Sequence, residues 1–152
     1  MKTLFLSVLA TAAFFSASAF ADVVVKDAWV RATPGAAKVS AGYAVIANTG
    51  TVDDILLDVR APDAGMTQLH SSTAADGVMR MDGVKELALP AGKEVALKPG
   101  DYHLMIMDLK KPLKVGEEIP LIFSFKKQGP VKVTARVLPL SASGFEGHQH
   151  HK

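Results

Sequence analysis

The chain has 152 residues, a nearly balanced charge of 17 Lys and Arg against 15 Asp and Glu, and no cysteine. The length suits one compact domain, and the absence of a basic stripe argues against nucleic acid as a partner. Without cysteine there are no disulfides, no thiolate metal sites, no cysteine nucleophile and no His₂Cys set of the blue-copper type.

Residues 1–21 have the pattern of a secretory signal peptide. Lys2 supplies the positive start, Leu4–Phe15 is an apolar run, and Ala19-Phe20-Ala21 fits the small-residue cleavage site. The run is short for a membrane span, which needs about 20 residues. We therefore expect a periplasmic protein that begins at Asp22, carries no lipid because it has no cysteine, and is not stably inserted in the membrane.

Residues 22–140 read as one domain of short strands separated by turn residues, with no convincing helix. Turn signals recur at Thr33-Pro34-Gly35, Asn48-Thr49-Gly50, Pro90-Ala91-Gly92 and Pro99-Gly100. Such spacing predicts an all-β sandwich or barrel. The expected strands are Val23–Val25, Ala28–Val30, Gly42–Ala47 and Ile55–Val59, followed at the end by a hairpin of Ile119–Phe125 and Val131–Leu138.

The methionines and histidines are clustered. Apart from Met1, every methionine lies between positions 66 and 107, together with the only two histidines outside the C-terminal tail. Alternate side chains of a strand share a face, so His103, Met105 and Met107 point one way while Tyr102, Leu104 and Ile106 point toward the core. By the same rule Met66, Gln68 and His70 share one face of a strand, and Met79 and Met81 share one face of the next.

Asp76-Gly77 predicts a hairpin between these two upstream strands. A four-residue loop over 74–77 would pair Thr73 with Val78 and place His70 directly opposite Met81. A two-residue loop at Asp76-Gly77 would make His70 and Met81 diagonal neighbours on the same face.

The residues that converge are two imidazoles, His70 and His103, and two thioethers, Met81 and Met105. Thioether sulfur is soft and suits Cu(I), whereas Mg²⁺ and Ca²⁺ need oxygen ligands and Zn²⁺ rarely accepts a thioether. Four neutral ligands also favour a singly charged ion. Met66, Met79 and Met107 could support such a site or fill the core, and the sequence leaves this open.

The spacing of these residues resembles that of the PCuAC family of periplasmic copper chaperones. His70 is followed by ten residues and Met81, and then by twenty-one residues and His103-Leu104-Met105. The stretches 28–34, 77–81 and 102–107 are similar as well. Ser71 stands where the family has an optional methionine.

This resemblance implies a cupredoxin-like β-barrel with a Cu(I) site near its surface. It also implies delivery of copper to the binuclear copper centre of cytochrome c oxidase, alongside Sco-like assembly proteins.

Residues 141–152 form a polar, His-rich segment that we expect to be a flexible tail. His148, His150 and His151 make it a candidate second metal site, and imidazoles alone suit Cu(II) better than thioethers do.

Two other functions stay open, and two more are disfavoured. A passive copper-storage or resistance protein would use the same residues, and a β-sandwich interaction module would use the methionines for packing. An enzyme is disfavoured because no acid–base pair is evident, and electron transfer is disfavoured by the missing cysteine.

Overall fold

The computed structural model describes residues 22–144, so the expected signal peptide and the tail histidines lie outside the described residues. Within 22–144 the chain forms strands and no helix, and hence has no helix that could cross a membrane. The ten strands are β1 Val23–Arg31, β2 Ser40–Asn48, β3 Asp54–Arg60, β4 Ala64–Ala75, β5 Val78–Gly83, β6 Leu87–Leu89, β7 Glu94–Leu97, β8 His103–Leu109, β9 Glu118–Phe125 and β10 Gly129–Leu138.

The strands form one sheet in the order β5-β4-β8-β2-β1-β10-β9-β3-β6, and β7 adds a second partner to β2. The prediction of an all-β, cupredoxin-like fold is confirmed. Among the described strands the hydrogen-bonded path does not close into a barrel, because β5 and β6 remain at its two ends. The predicted metal ligands His70, Met81, His103 and Met105 lie at the β5 end of this path.

The first strand corrects the sequence reading, which had two short pieces there. Val23–Val25 and Ala28–Val30 belong to one strand that is interrupted by a bulge between Lys26 and Trp29. Asp27 at this point has a φ of 52°, a conformation that short polar residues tolerate. The apparent break was therefore a local irregularity inside a continuous strand.

The core lies inside the curled sheet and draws side chains from most strands. Leu104 and Ile106 of β8, Phe123 of β9 and Val137 of β10 are fully buried in it. Leu69 of β4 belongs to the same cluster. Because β4 and β8 each send one set of alternate residues into this core, their other set must face outward.

The closing hairpin is confirmed, with Phe125 of β9 paired to Gly129 of β10. The buried carboxylate of Asp54 supports its turn: Oδ1 accepts the N–H groups of Ile55 and Lys127 at 2.7 and 2.9 Å, and Oδ2 accepts that of Gln128 at 2.9 Å. Burial raises the pKa of Asp54, but these hydrogen bonds outweigh it and hold the pKa below its ordinary value of 3.8. The turn is therefore fixed by an ionised side chain.

Candidate metal centre

The pairing of β4 with β8 places the methionines and histidines of these strands on three alternate cross-strand pairs, which share one face. Met66 lies opposite Met107, Gln68 opposite Met105, and His70 opposite His103. Leu69, Leu104 and Ile106 occupy the other face of the same strands and are buried. The predicted alternation is confirmed, because one face of the strand pair builds the core and the other carries imidazole, amide and thioether groups.

The register of the β4–β5 hairpin decides where Met81 lies. The loop has two residues, with Ala75 paired to Val78, so the four-residue loop and its direct pairing of His70 with Met81 are wrong. Asp76 and Gly77 have φ values of 53° and 73°, as a type I′ turn requires, and that turn fits the twist of the strands. Met81 therefore pairs with Ser72 and is a diagonal neighbour of His70, on the same face.

The two histidines are close enough to share one ion. Their ring centroids lie 5.9 Å apart, with 40° between the ring planes. An imidazole nitrogen binds a late transition metal at about 2 Å, so two rings on one ion have centroids within roughly 6 Å of each other. The pair thus fits coordination by both rings with little backbone movement.

Each histidine ring has one nitrogen within hydrogen-bond distance of an acceptor oxygen. His103 Nδ1 lies 3.0 Å from the backbone carbonyl of Asp101, which can only accept, so Nδ1 carries the proton and Nε2 keeps its lone pair. His70 Nε2 lies 3.2 Å from Gln68 Oε1, and in the tautomer in which Nε2 donates to this oxygen the lone pair of His70 is on Nδ1. Metal-binding histidines are commonly oriented by such a bond from their second nitrogen.

His70 Nδ1 is buried and has no hydrogen-bond partner. Among the described side chains it shares this state only with Arg31 Nε, and the Arg31 guanidinium packs over the ring of Tyr43, with 5.5 Å from its central carbon to the ring centroid. A buried polar atom without a partner costs free energy, about 1–3 kcal/mol. A ligand at His70 Nδ1 would remove that cost, so the donor set and the orphaned atom both fit a metal ion.

The kind of ion follows from what surrounds the two rings. Within residues 22–144 no three His, Asp or Glu side chains gather to hold a metal. The three β4–β8 pairs contain no charged residue. The other donors on these pairs are the thioethers of Met66, Met105 and Met107 and the amide of Gln68, and thioethers suit a soft ion.

The predicted ligands differ in their exposure to solvent. His103 is 5% exposed and Met105 is half-buried, whereas Met81 on the edge strand β5 is 62% exposed. Most of the Met81 side chain is therefore in contact with solvent. Met66 and Met79 are 48% and 58% exposed, so neither fills the core.

His70 and Gln68 also border a groove of about 560 Å³ between β3 and β4. Its walls include Leu56, Val59 and Val84. Asp58 and Lys85 line it too, so the groove gives His70 a neighbouring surface of mixed polarity that is open to solvent.

Two supporting groups were not assigned a role from the sequence, Gln68 and the carbonyl of Asp101. The signal for Gln68 was its position two residues before His70 on the same face. Asp101 follows the turn at Pro99-Gly100, where Gly100 has a φ of 83° and Asp101 N–H donates to the carbonyl of Lys98. Its own carbonyl accepts from Ser72 N–H as well as from His103, so it ties β4 to the start of β8.

Fold and site together define an all-β domain with a candidate soft-metal centre on an open sheet face. The family model described as "Putative lipoprotein LpqE-like" matches residues 23–137. A curated relative, "Putative lipoprotein Lxx21020" of Leifsonia xyli subsp. xyli, is 31% identical over 128 residues, which cover 82% of this chain and 76% of the relative.

Solved structures agree with that match. The solution structure of CuI-DR1885 from Deinococcus radiodurans is 30% identical, with a TM-score of 0.62, and covers 82% of this chain and 83% of its own. The apo PmoF2 PCuAC domain is 25% identical, with a TM-score of 0.68, and covers 83% of this chain and 97% of its own. The chain belongs to the LpqE-like family and is a PCuAC family protein.

Proposed function

We propose that this protein is a periplasmic copper chaperone that binds one Cu(I) through His70, Met81, His103 and Met105. The observation that carries this proposal is the His70–His103 pair, whose ring centroids are 5.9 Å apart and whose rings each have one nitrogen within hydrogen-bond distance of an acceptor oxygen. The relative solved as CuI-DR1885 supports copper as the metal.

The sulfur ligands explain the preference for Cu(I). Met105 lies two residues from His103 on the same face of β8, and Met81 reaches the pair diagonally from β5. Two thioethers and two neutral imidazoles add no negative charge, so a singly charged soft ion is favoured over Cu(II) or Zn²⁺.

Transfer rather than storage is supported by the unequal exposure of the ligands. The histidines are held by Gln68 and by the Asp101 carbonyl, whereas Met81 is exposed on an edge strand. A ligand that can leave without unfolding the site gives an acceptor a way in. We propose the binuclear copper site of cytochrome c oxidase as the acceptor, directly or through a Sco-like protein.

The location in the periplasm rests on the signal-peptide pattern of residues 1–21 and on the lipoprotein name of the Leifsonia relative. The proposal includes a second, Cu(II)-type site at His148, His150 and His151. Removing residues 147–152 should then abolish the Cu(II) electron paramagnetic resonance signal and spare the Cu(I) site.

The test is an anaerobic Cu(I) titration against a competing chelator, followed by X-ray absorption of the loaded protein lacking residues 147–152. We expect one Cu(I) with both nitrogen and sulfur scatterers. Met79→Leu is the matched control for a change at Met81, because Met79 is similarly exposed but lies opposite Ala74. A spectrum with nitrogen and oxygen alone would exclude the assignment.

Delivery is tested separately by mixing the Cu(I)-loaded protein with the apo copper-binding domain of the oxidase subunit or with an apo Sco-like protein. Loss of copper from this protein and its appearance in the acceptor supports a chaperone. Retention of copper in the presence of both acceptors supports the storage alternative.

A further inference from the structure

One end of the β4–β8 pair carries two methionines that the proposed Cu(I) site does not use. Met66 and Met107 lie directly opposite each other, two positions along the strands from the Gln68–Met105 pair. Side chains directly opposite in an antiparallel pair have Cβ atoms about 4.5–5.5 Å apart. The flexible Met side chains place both sulfur atoms within reach of one ion.

Packing does not account for this pair. Met66 is 48% exposed, while fully burying such a side chain would contribute about 1.5–3 kcal/mol. No Val, Ile or Leu stands beside it among the three outward-facing cross-strand pairs. Met66 is therefore a solvent-exposed thioether beside the partly buried Met107, and Met107 is not among the residues of the buried core.

Met105 connects this surface to the histidines. It lies on β8 between Met107 and His103, at intervals of two residues on one face, and diagonally across from Met66. Diagonal neighbours are roughly 7–8 Å apart, a distance that long side chains span. A sulfur is thus present at every step from the exposed end of the strand pair to the imidazoles.

We propose that Met66 and Met107 form a second, weaker position for a soft monovalent cation, which shares Met105 with the histidine position and passes the ion to or from it. The ligands are neutral, and Met66 is exposed while Met105 and Met107 are partly buried, so the position holds a soft ion weakly and exchanges it readily. The existence of the position stands on its own, whereas the passing of Cu(I) rests on the proposed function.

Titration with Ag(I), a soft monovalent ion that is not redox-active under these conditions, tests the position in the whole chain from residue 22. The readout is the NMR signal of each methionine methyl group, which reports on each thioether separately. We expect the first equivalent to shift Met81 and Met105, and further Ag(I) to shift Met66 and Met107 together. Met79, exposed but opposite Ala74, serves as the internal control and should not move in that second phase.

Two variants sharpen the result. Met66→Leu should remove the second-phase shift of Met107 and leave the first phase intact, and Met79→Leu should change neither phase. His103→Asn should abolish the first phase and leave the response of Met66 and Met107, so loss of the histidine site and loss of the methionine position are distinguishable.

The proposal is overturned if Met66 and Met107 respond no more than Met79, or if Met107 responds unchanged in the Met66→Leu protein. A first phase that fails to involve Met81 and Met105 would count against the Cu(I) site instead. Should His103→Asn not fold, the wild-type titration with Met66→Leu still decides the outcome.

Discussion

Two buried polar groups at opposite ends of the sheet path are treated in opposite ways. Asp54, at the start of β3, is 1% exposed, and its carboxylate accepts hydrogen bonds from Ile55, Lys127 and Gln128. His70, near the β5 end, has a buried Nδ1 atom that accepts none. Since an unsatisfied buried atom costs stability, Asp54 has a structural role, whereas His70 fits the ligand role that we propose for it.

We therefore expect substitutions at Asp54 and at the histidine pair to have different effects. Changes at Asp54 should lower the free energy of unfolding and leave Cu(I) affinity unchanged. Changes at the histidine pair should lower Cu(I) affinity, with a smaller effect on the apo fold.

The largest expected effect is that of His103→Asn on Cu(I) affinity. The Asn side-chain amide stands where His Nδ1 stood and can still donate to the Asp101 carbonyl, so the apo fold should be largely kept. The Nε2 atom, which we propose as the ligand, is lost. Because losing a mere supporting partner of a metal ligand costs about 10–100-fold, we expect a loss above about 100-fold. A chelator competition measures it, and an affinity within that supporting range would remove His103 from the coordination sphere.

The two methionines should differ in size of effect. Met105→Leu and Met81→Leu both nearly conserve volume, so each should cost the apo protein less than about 1.5 kcal/mol. We expect Met105→Leu to weaken Cu(I) binding more, because Met105 is half-buried beside His103 while Met81 is exposed and must be ordered on binding. Equal losses of Cu(I) affinity in the two variants, or a larger loss in Met81→Leu, would contradict this prediction.

Gln68→Leu should have a smaller effect, about 10-fold on Cu(I) affinity. It removes the acceptor that keeps the proton of His70 on Nε2 and the lone pair on Nδ1. Nitrogen-15 NMR of the imidazole should show a mixture of tautomers in the apo variant. Gln68→Glu keeps an acceptor at that point and should retain the tautomer. A single unchanged tautomer in Gln68→Leu would show that the bond does not set it.

The outward alternation of His70, His103 and Met105 could be predicted because strand periodicity depends only on neighbouring residues. The hairpin register could not be settled between two loops, since both place His70 and Met81 on one face and differ by two residues. The type I′ geometry of Asp76-Gly77 decides it.

Long-range pairings were beyond the sequence. The parallel contact of β1 with β10, in which Trp29 pairs with Arg136, joins segments more than 100 residues apart and leaves no local pattern. The short strand β6 ends just before the turn signal at Pro90, and β7 lies between the turn signals at Pro90 and Pro99, so neither is long enough to show a strand pattern. The role of Gln68 was hidden too, because a hydrogen bond to a ring nitrogen depends on side-chain orientation.

The smallest expected effect on copper is that of Asp54→Asn, which should leave Cu(I) affinity unchanged and lower the stability of the fold. Losing the charge weakens the three hydrogen bonds that fix the β9–β10 turn. Replacing one carboxylate oxygen by an NH₂ group also sets a donor against a backbone donor. We expect a loss of about 1–3 kcal/mol near neutral pH, measured by denaturant unfolding. Asp53→Asn is the control, because the Asp53 carboxylate accepts only the N–H of Ala91 and is exposed.

The pH dependence of this difference gives a sharper test. The folded-state pKa of Asp54 lies below its ordinary value of 3.8, so ionised Asp54 contributes stability that is fully present above that value. The contribution is lost as pH falls through the folded-state pKa, where the carboxylate becomes protonated. The stability difference between wild type and Asp54→Asn should therefore be constant from neutral pH down to about 4 and should shrink below it. A difference that grows as pH falls, or that disappears already near pH 6, would show that the charge of Asp54 does not hold the turn.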